Sequence, residues 1–482
     1  MTAGDEQAEQ KIANIDAAGR LGVEPVGRLL WRFSLPAIIG MLVNAFYNVI
    51  DRIFVGRGVD ELALGGVALV MPLMTITMAF AMLFGTGAAN LISIRLGEQR
   101  REEAANTLTH CFLLMIVIGL VLTVAGLIFL DPLMSLMGAE QGSKSLEYGR
   151  DFMRIILLGQ VFGLIGFGMS HCTRAQGFPK ITMIAMLMSA VVNIFLDILF
   201  IFGLHWGVQG AALATILAQL LSGLWILSFN FSKKAVIRIN LRDFRPSRQI
   251  ITQILSFGSA QFLIQLAIAA VMLVYNFCMT RYGAASLGVA DGGDIALSGI
   301  SIVNTIAMIF LMPIFGINQG SQPILGYNYG ARKFDRVLKT YRLAVTLATV
   351  VACAGFAVAM IWPLGLTRLF APDGSAALLA FTPWAMRVYV LLLPVVGYQV
   401  VSANLFVVTG RPKVSIVLSM LRQVFVLIPC LLLFGWWGGV YGSVFAAPLS
   451  DAVATLTTTV VVWFEIKKLR VGAREAHTGT IS

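Results

Sequence analysis

The sequence predicts an all-α integral membrane protein of twelve transmembrane helices, built as two six-helix bundles related by a pseudo-two-fold axis. Three observations predict it: a composition too apolar for a soluble surface, polar breaks that divide the chain into long apolar runs, and an internal repeat at one fixed offset. Hydrophobic residues make up 58% of the 482, and Asp, Glu, Lys and Arg together 12%. A soluble chain carries about 25% charged residues, so the excess apolar side chains here must face lipid.

Gly, Pro and polar punctuation places the spans near 29–51, 62–93, 107–130, 149–173, 180–203, 208–231, 251–281, 295–325, 340–364, 383–409, 414–435 and 440–466. Each holds the run of about twenty apolar residues that a crossing helix needs. The second and eighth are longer than a straight crossing requires, which predicts a tilt or kink in each.

Orientation follows from the basic residues. With the N-terminus inside, 26 of the 35 Lys and Arg fall in or beside inner segments and eight in outer ones. That asymmetry is the positive-inside pattern, and it puts both termini in the cytoplasm. It also accounts for the net charge of +11 without a nucleic-acid partner. Five cysteines (Cys111, Cys172, Cys278, Cys353, Cys430) lie in or beside apolar runs with no metal-ligand spacing, and read as small hydrophobes. The organisation predicted is a solvated, mobile tail over 1–24, an N-lobe over 25–231, a basic linker over 232–250, a C-lobe over 251–468 and a cytoplasmic tail over 469–482.

The two lobes repeat each other at an offset of 233 residues. Ala63, Leu64 and Gly66 fall on Ala296, Leu297 and Gly299; Gly87 and Gly97 on Gly320 and Gly330; Thr107 on Thr340; Gly177, Pro179 and Lys180 on Gly410, Pro412 and Lys413. Composition alone would not keep one register over more than a hundred residues. Six spans is an even number, so both copies face the same way around an axis along the membrane normal, an arrangement that allows one bundle to rock against the other.

The loops carry a more specific likeness. Span one reads FSLPAIIGMLVNAFYNVIDRIFVGRG, followed by LALGGVALVMP and GTGAANLISIRLGEQRREEAANT; the second copy has GINQGSQPILGYNYGARKFDRVLKT, and G-x-P-K occurs in both halves. From Val26 to about Lys468 the chain resembles the multidrug and toxic compound extrusion (MATE) family, in its DinF-like and MepA-like bacterial branches. The resemblance implies a multi-pass protein of the bacterial inner membrane that is not an enzyme. It would export small amphipathic, often cationic, organic compounds as an antiporter, with H⁺ or Na⁺ as coupling ion and no other cofactor. A monomer in the bilayer is expected.

Intramembrane charge is costly and marks functional candidates. Asp51 and Asp197 both lie roughly 25–28 Å above the inner ends of spans one and five at 1.5 Å per residue. Asn193 shares the helix face of Asp197, and Thr215 in span six reaches the same zone. In the resembled family these positions form a cation-responsive centre. Two carboxylates in a low-dielectric cavity cannot both ionise cheaply, so a bound proton or Na⁺ relieves their repulsion and biases one packing over another. Pro36 removes a helical hydrogen bond in span one and permits a bend, which the family uses in drug release by one proposed mechanism. The plainer reading of Asp51 is an ion pair with Arg52 at headgroup level; for Asn193 and Thr215 it is hydrogen bonding to a neighbouring backbone.

Arg422 and Asp451 fall at matching depths in adjacent antiparallel spans, which predicts a structural ion pair. Span seven holds Gln261 and Gln265 and no carboxylate, and span ten has none, so an acidic C-lobe Na⁺ site is not expected. The rival readings are a flippase or exporter of lipid-linked or polysaccharide substrates from the same superfamily, a major facilitator, and an intramembrane enzyme. The second lacks its G-x-x-x-D-R-x-G-R loop here, and the third any catalytic constellation.

Overall fold

The computed structural model describes residues 16–59, 61–136, 144–289, 291–372 and 374–478, and the described residues form helices joined by loops, the longest of them the linker over 232–247, with no strand among them. The N-lobe consists of α1 (Val26–Gly58), α2 (Glu61–Gly97), α3 (Arg101–Ile128), α4 (Lys144–Ala175), α5 (Pro179–Gly203) and α6 (Gly207–Phe231). The C-lobe opens with α7 (Arg248–Leu287), α8 (Gly292–Gly330) and α9 (Phe334–Ile361). Next, α10 is a broken span, Ala376–Tyr389 and Leu393–Val408, bent by 47°. Finally Pro412–Arg474 is 63 residues of apolar helix with a non-helical Gly439 inside it. Arg422 and Asp451 would stand about 43 Å apart on one straight helix. Their side chains meet at 2.7 Å, so the chain reverses at Gly439 into α11 (412–438) and α12 (440–478). The described spans therefore number twelve.

Local chemistry explains the ends. In the G-x-P-K loops Gly177 (φ +100°) and Gly410 (φ +77°) take left-handed turns that suit glycine. Pro179 and Pro412 then occupy the first turn of α5 and α11, where a missing N–H costs nothing. The repeat reaches even into backbone conformation: Gln99 and Arg332, 233 positions apart, both adopt positive φ in the turns after α2 and α8.

Helices α2 and α8, the two long spans, run unbroken for 37 and 39 residues, and a sharp bend falls in α10 before Pro394, whose ring cannot continue the preceding helix. Two expectations about boundaries change. Helix α12 continues past 468 to Thr478, through residues expected as tail. Segment 16–24 is not a solvated tail. It forms a 3₁₀ turn over Gly19–Gly22 with Ala18, Leu21 and Glu24 buried, because its few apolar side chains dock against α8 and the turn that follows it.

The lobes meet through α2 against α7 and α1 against α8, contacts that the repeat exchanges for one another. Near the end that carries the basic loops, α2 crosses α8 backbone to backbone. A Cβ on Gly97 would overlap the Tyr327 carbonyl, and one on Gly330 the Ile94 carbonyl. Gln322 Nε2 donates to Asn90 Oδ1 at 2.6 Å and Arg95 Nη2 to Gln253 Oε1 at 2.8 Å across the same seam. Trp206, Trp362, Trp436 and Trp437 are exposed at the opposite end, as interfacial aromatics of a membrane protein are.

Candidate ion-coupling site

The structure assembles α1, α5 and α6 around one polar centre. Asp197 is 1% exposed, and Asn193 and Thr215 are buried beside it. Asp51 of α1 comes within hydrogen-bonding reach of the Asp197 carboxyl. The depth argument thus brings the two carboxylates to one place, and helix α5 widens into π-type turns over Ile198–Gly203 directly after Asp197. The Arg52 side chain, the alternative partner for Asp51, lies outside the described residues.

Asn193 stands between acid and hydroxyl. With its nitrogen toward the carboxylate it donates to Asp197 Oδ2 at 3.0 Å. With the amide turned over, the nitrogen donates to Thr215 Oγ1 at 3.4 Å and the oxygen faces Asp197. The first orientation suits an ionised carboxylate, which only accepts; the second suits a protonated one, whose O–H needs an acceptor. Thr215 itself donates to the Ala211 carbonyl at 3.0 Å, within its own helix, so its oxygen keeps lone pairs for Asn193.

Sequence reasoning missed Tyr47. Its hydroxyl lies beside Thr215 and within the field of both carboxylates. The signal was present: Tyr47 precedes Asp51 by four residues and so shares its helix face. Pro36 is buried within α1, which stays helical from Val26 to Gly58.

The C-lobe carries no equivalent acid pair. Asp51 and Asp197 fall on Ala284 and Cys430 at the repeat offset. What the C-lobe has is the ion pair in which Arg422 Nε donates to Asp451 Oδ1 at 2.7 Å, within a second run of π-type turns over Leu421–Leu427. Ser450 Oγ donates to the Arg422 carbonyl at 2.6 Å, and Gln399 Nε2 to the Asp451 carbonyl at 2.8 Å. Among the described residues no group of three or more His, Cys, Asp or Glu is placed to hold a metal ion.

Known proteins resemble this chain over most of its length. A family model described as MatE matches residues 36–199 and 267–432. The multidrug export protein MepA of Staphylococcus haemolyticus is 26% identical over 436 residues, covering 90% of this chain and 93% of that protein. A structure described as the outward-facing conformation of a multidrug resistance MATE family transporter of the MOP superfamily superposes with a TM-score of 0.85 at 26% identity. It covers 95% of this chain and 98% of the other. A MOP superfamily transporter from Pyrococcus furiosus, described as having a binding pocket of reverse polarity that suggests a different function, gives a TM-score of 0.87 at 26% identity, with 94% and 98% covered.

Proposed function

The chain belongs to the MatE family of transporters, and on that premise we propose that it is a cation-coupled multidrug efflux antiporter whose driving ion acts at Asp51 and Asp197. One observation carries the reading: two carboxylates from different helices meet in a buried centre whose amide, Asn193, has a hydrogen-bonding pattern for either charge state.

The cycle follows from that geometry. With both acids ionised, repulsion holds α1 away from α5, and a cationic amphipathic compound is the natural counter-charge. A proton or Na⁺ from outside cancels the repulsion. When the ion is a proton, the Asp197 O–H donates to Asn193 and the amide nitrogen turns to Thr215. Helix α1 can then settle toward α5 and α6, with Tyr47 against Thr215. Pro36 leaves the Arg32 carbonyl without its helical donor, so the part of α1 bearing Tyr47 and Asp51 bends as a unit and the organic cation leaves. Closure of the α2–α8 crossing at the basic end corresponds to the state open on the opposite side. By the positive-inside pattern the basic end is cytoplasmic, in a bacterial inner membrane. Arg422–Asp451 acts as a structural pair, since separating it would leave a buried charge.

The test is efflux of a fluorescent organic cation from proteoliposomes under an imposed pH or Na⁺ gradient, comparing wild type with Asp51→Asn and Asp197→Asn. Loss of gradient-driven efflux with retained equilibrium binding of the dye supports the coupling role; wild-type rates in both variants reject it. Transport confined to lipid-linked or polysaccharide substrates would favour the flippase reading instead.

A further inference from the structure

A second polar site lies at the basic end of the N-lobe, remote from the acid pair. It is a cavity of about 510 Å³. Four segments distant in sequence place five cations in its wall: Arg20 from segment 16–24, Arg32 from the start of α1, Arg101 from the start of α3, and Lys233 and Lys234 from the linker. Asp16, also in the wall, pairs with Arg101, and Arg32 pairs with Glu24 at 3.3 Å. Lys233 and Lys234 are exposed and enter no ion pair among the described residues. Even after both carboxylates are counted, the cavity keeps a surplus of positive charge. The positive-inside pattern explains basic loops; it does not explain why four segments turn their cations into one concavity.

Arg forks and Lys point charges together suit phosphate oxygens. The floor of the cavity adds a consequence. Segment 16–24 touches the N-lobe through Asp16 on Arg101 and through the Ala17 carbonyl against Gly177. Its other side is held by the C-lobe. Arg336 Nη2 donates to the carbonyls of Leu21 and Glu24 at 3.1 and 2.6 Å, Asn328 Nδ2 to Leu21 at 3.0 Å, and Lys333 Nζ to the Gly22 carbonyl at 2.9 Å. The segment is a strap across the closed mouth.

We propose that this cavity binds a phosphate-bearing anion, from a phospholipid headgroup or free in solution, and that its occupancy pins the strap across both lobes and favours the state closed at the basic end. Only the choice of leaflet rests on the orientation argued above.

The experiment uses the full chain in nanodiscs, whose two faces are both accessible, so an error in orientation would leave it intact. Hydrogen exchange of the 17–24 amides is compared in phosphatidylcholine discs, in discs with about 20% phosphatidylglycerol, and in phosphatidylcholine discs with inorganic phosphate. Slower exchange with phosphatidylglycerol alone identifies the lipid headgroup; equal protection by inorganic phosphate identifies a free anion. A basic residue near an anionic surface contributes about fivefold in binding, so Lys233→Gln with Lys234→Gln weakens the anion's effect roughly thirtyfold. The matched loss of charge at Lys467→Gln and Lys468→Gln leaves it unchanged. The proposal is overturned if exchange of the strap is the same in all three conditions, if the linker variant keeps full protection, or if the Lys467/Lys468 control loses it equally.

Discussion

Ser93 packs against Gly326, the residue 233 positions further along the chain, with 2.7 Å between the serine Cβ and the place a Cβ would take on the glycine. A residue meets its own repeat mate only where the symmetry axis passes between them. The neighbouring pairs Gly97–Tyr327 and Gly330–Ile94 are exchanged by the same axis. The pseudo-two-fold inferred from matching loops thus has a location, at the crossing of α2 and α8.

Because rigid backbone stands opposite Gly97 and Gly330, an added methyl cannot be absorbed by a side-chain shift. Gly97→Ala and Gly330→Ala should each lower stability by about 1–3 kcal/mol, seen as a lower unfolding midpoint in detergent. Gly27→Ala, with nothing within 4 Å of the new methyl, should be neutral or better. Equal midpoints in all three variants would contradict the close crossing.

Asn193→Leu removes the one amide that suits both charge states of Asp197. A buried hydrogen bond to a charged group contributes about 1.5–3 kcal/mol, so gradient-driven efflux should fall about tenfold or more while equilibrium dye binding persists. Infrared spectra of the isotope-labelled chain should also show a side-chain amide band that moves with pH in wild type and is absent from the variant.

Tyr47→Phe keeps the ring and deletes the hydroxyl beside Thr215. A neutral hydrogen bond contributes about 1 kcal/mol net, which corresponds to roughly a fivefold loss of efflux rate. That is a milder defect than Asp197→Asn, and a loss as severe would assign the tyrosine a charge-carrying part.

The Arg422–Asp451 pair calls for a double-mutant cycle. Arg422→Met or Asp451→Leu alone should cost about 3–5 kcal/mol by stranding the partner, whereas the double substitution should be close to neutral. Thermal unfolding of the purified variants decides it. A double variant that folds well and binds substrate differently would point to contact with cargo.

Much of this was legible in residue order because membrane helices are long and their breaks are chemically marked. Pro179 and Pro412 after left-handed glycines announced the starts of α5 and α11. Arg422 and Asp451 could be paired by counting rise, since two antiparallel spans share one thickness. What could not be read was lateral. Tyr47 lay on the face of Asp51, but only the neighbouring helix shows which face turns inward. Segment 16–24 looked like a tail because its fixing groups, Asn328 and Arg336, lie more than three hundred residues away. The bend in α10 had its signal in Pro394, outweighed by an apolar run on either side.

The linker between the lobes has little slack. Ile237 N–H is held by Gln176 Oε1 at 3.2 Å, Asn240 N–H by Thr109 Oγ1 at 3.2 Å, and Ser247 N–H by His110 Nε2 at 3.0 Å, so from residue 237 onward the tether is tacked to the N-lobe almost to the first turn of α7. If the lobes swing, the covalent twist gathers at that single junction. The polypeptide then behaves as two subunits joined by a butt hinge, and a lengthened insert at 247–248 would loosen the swing.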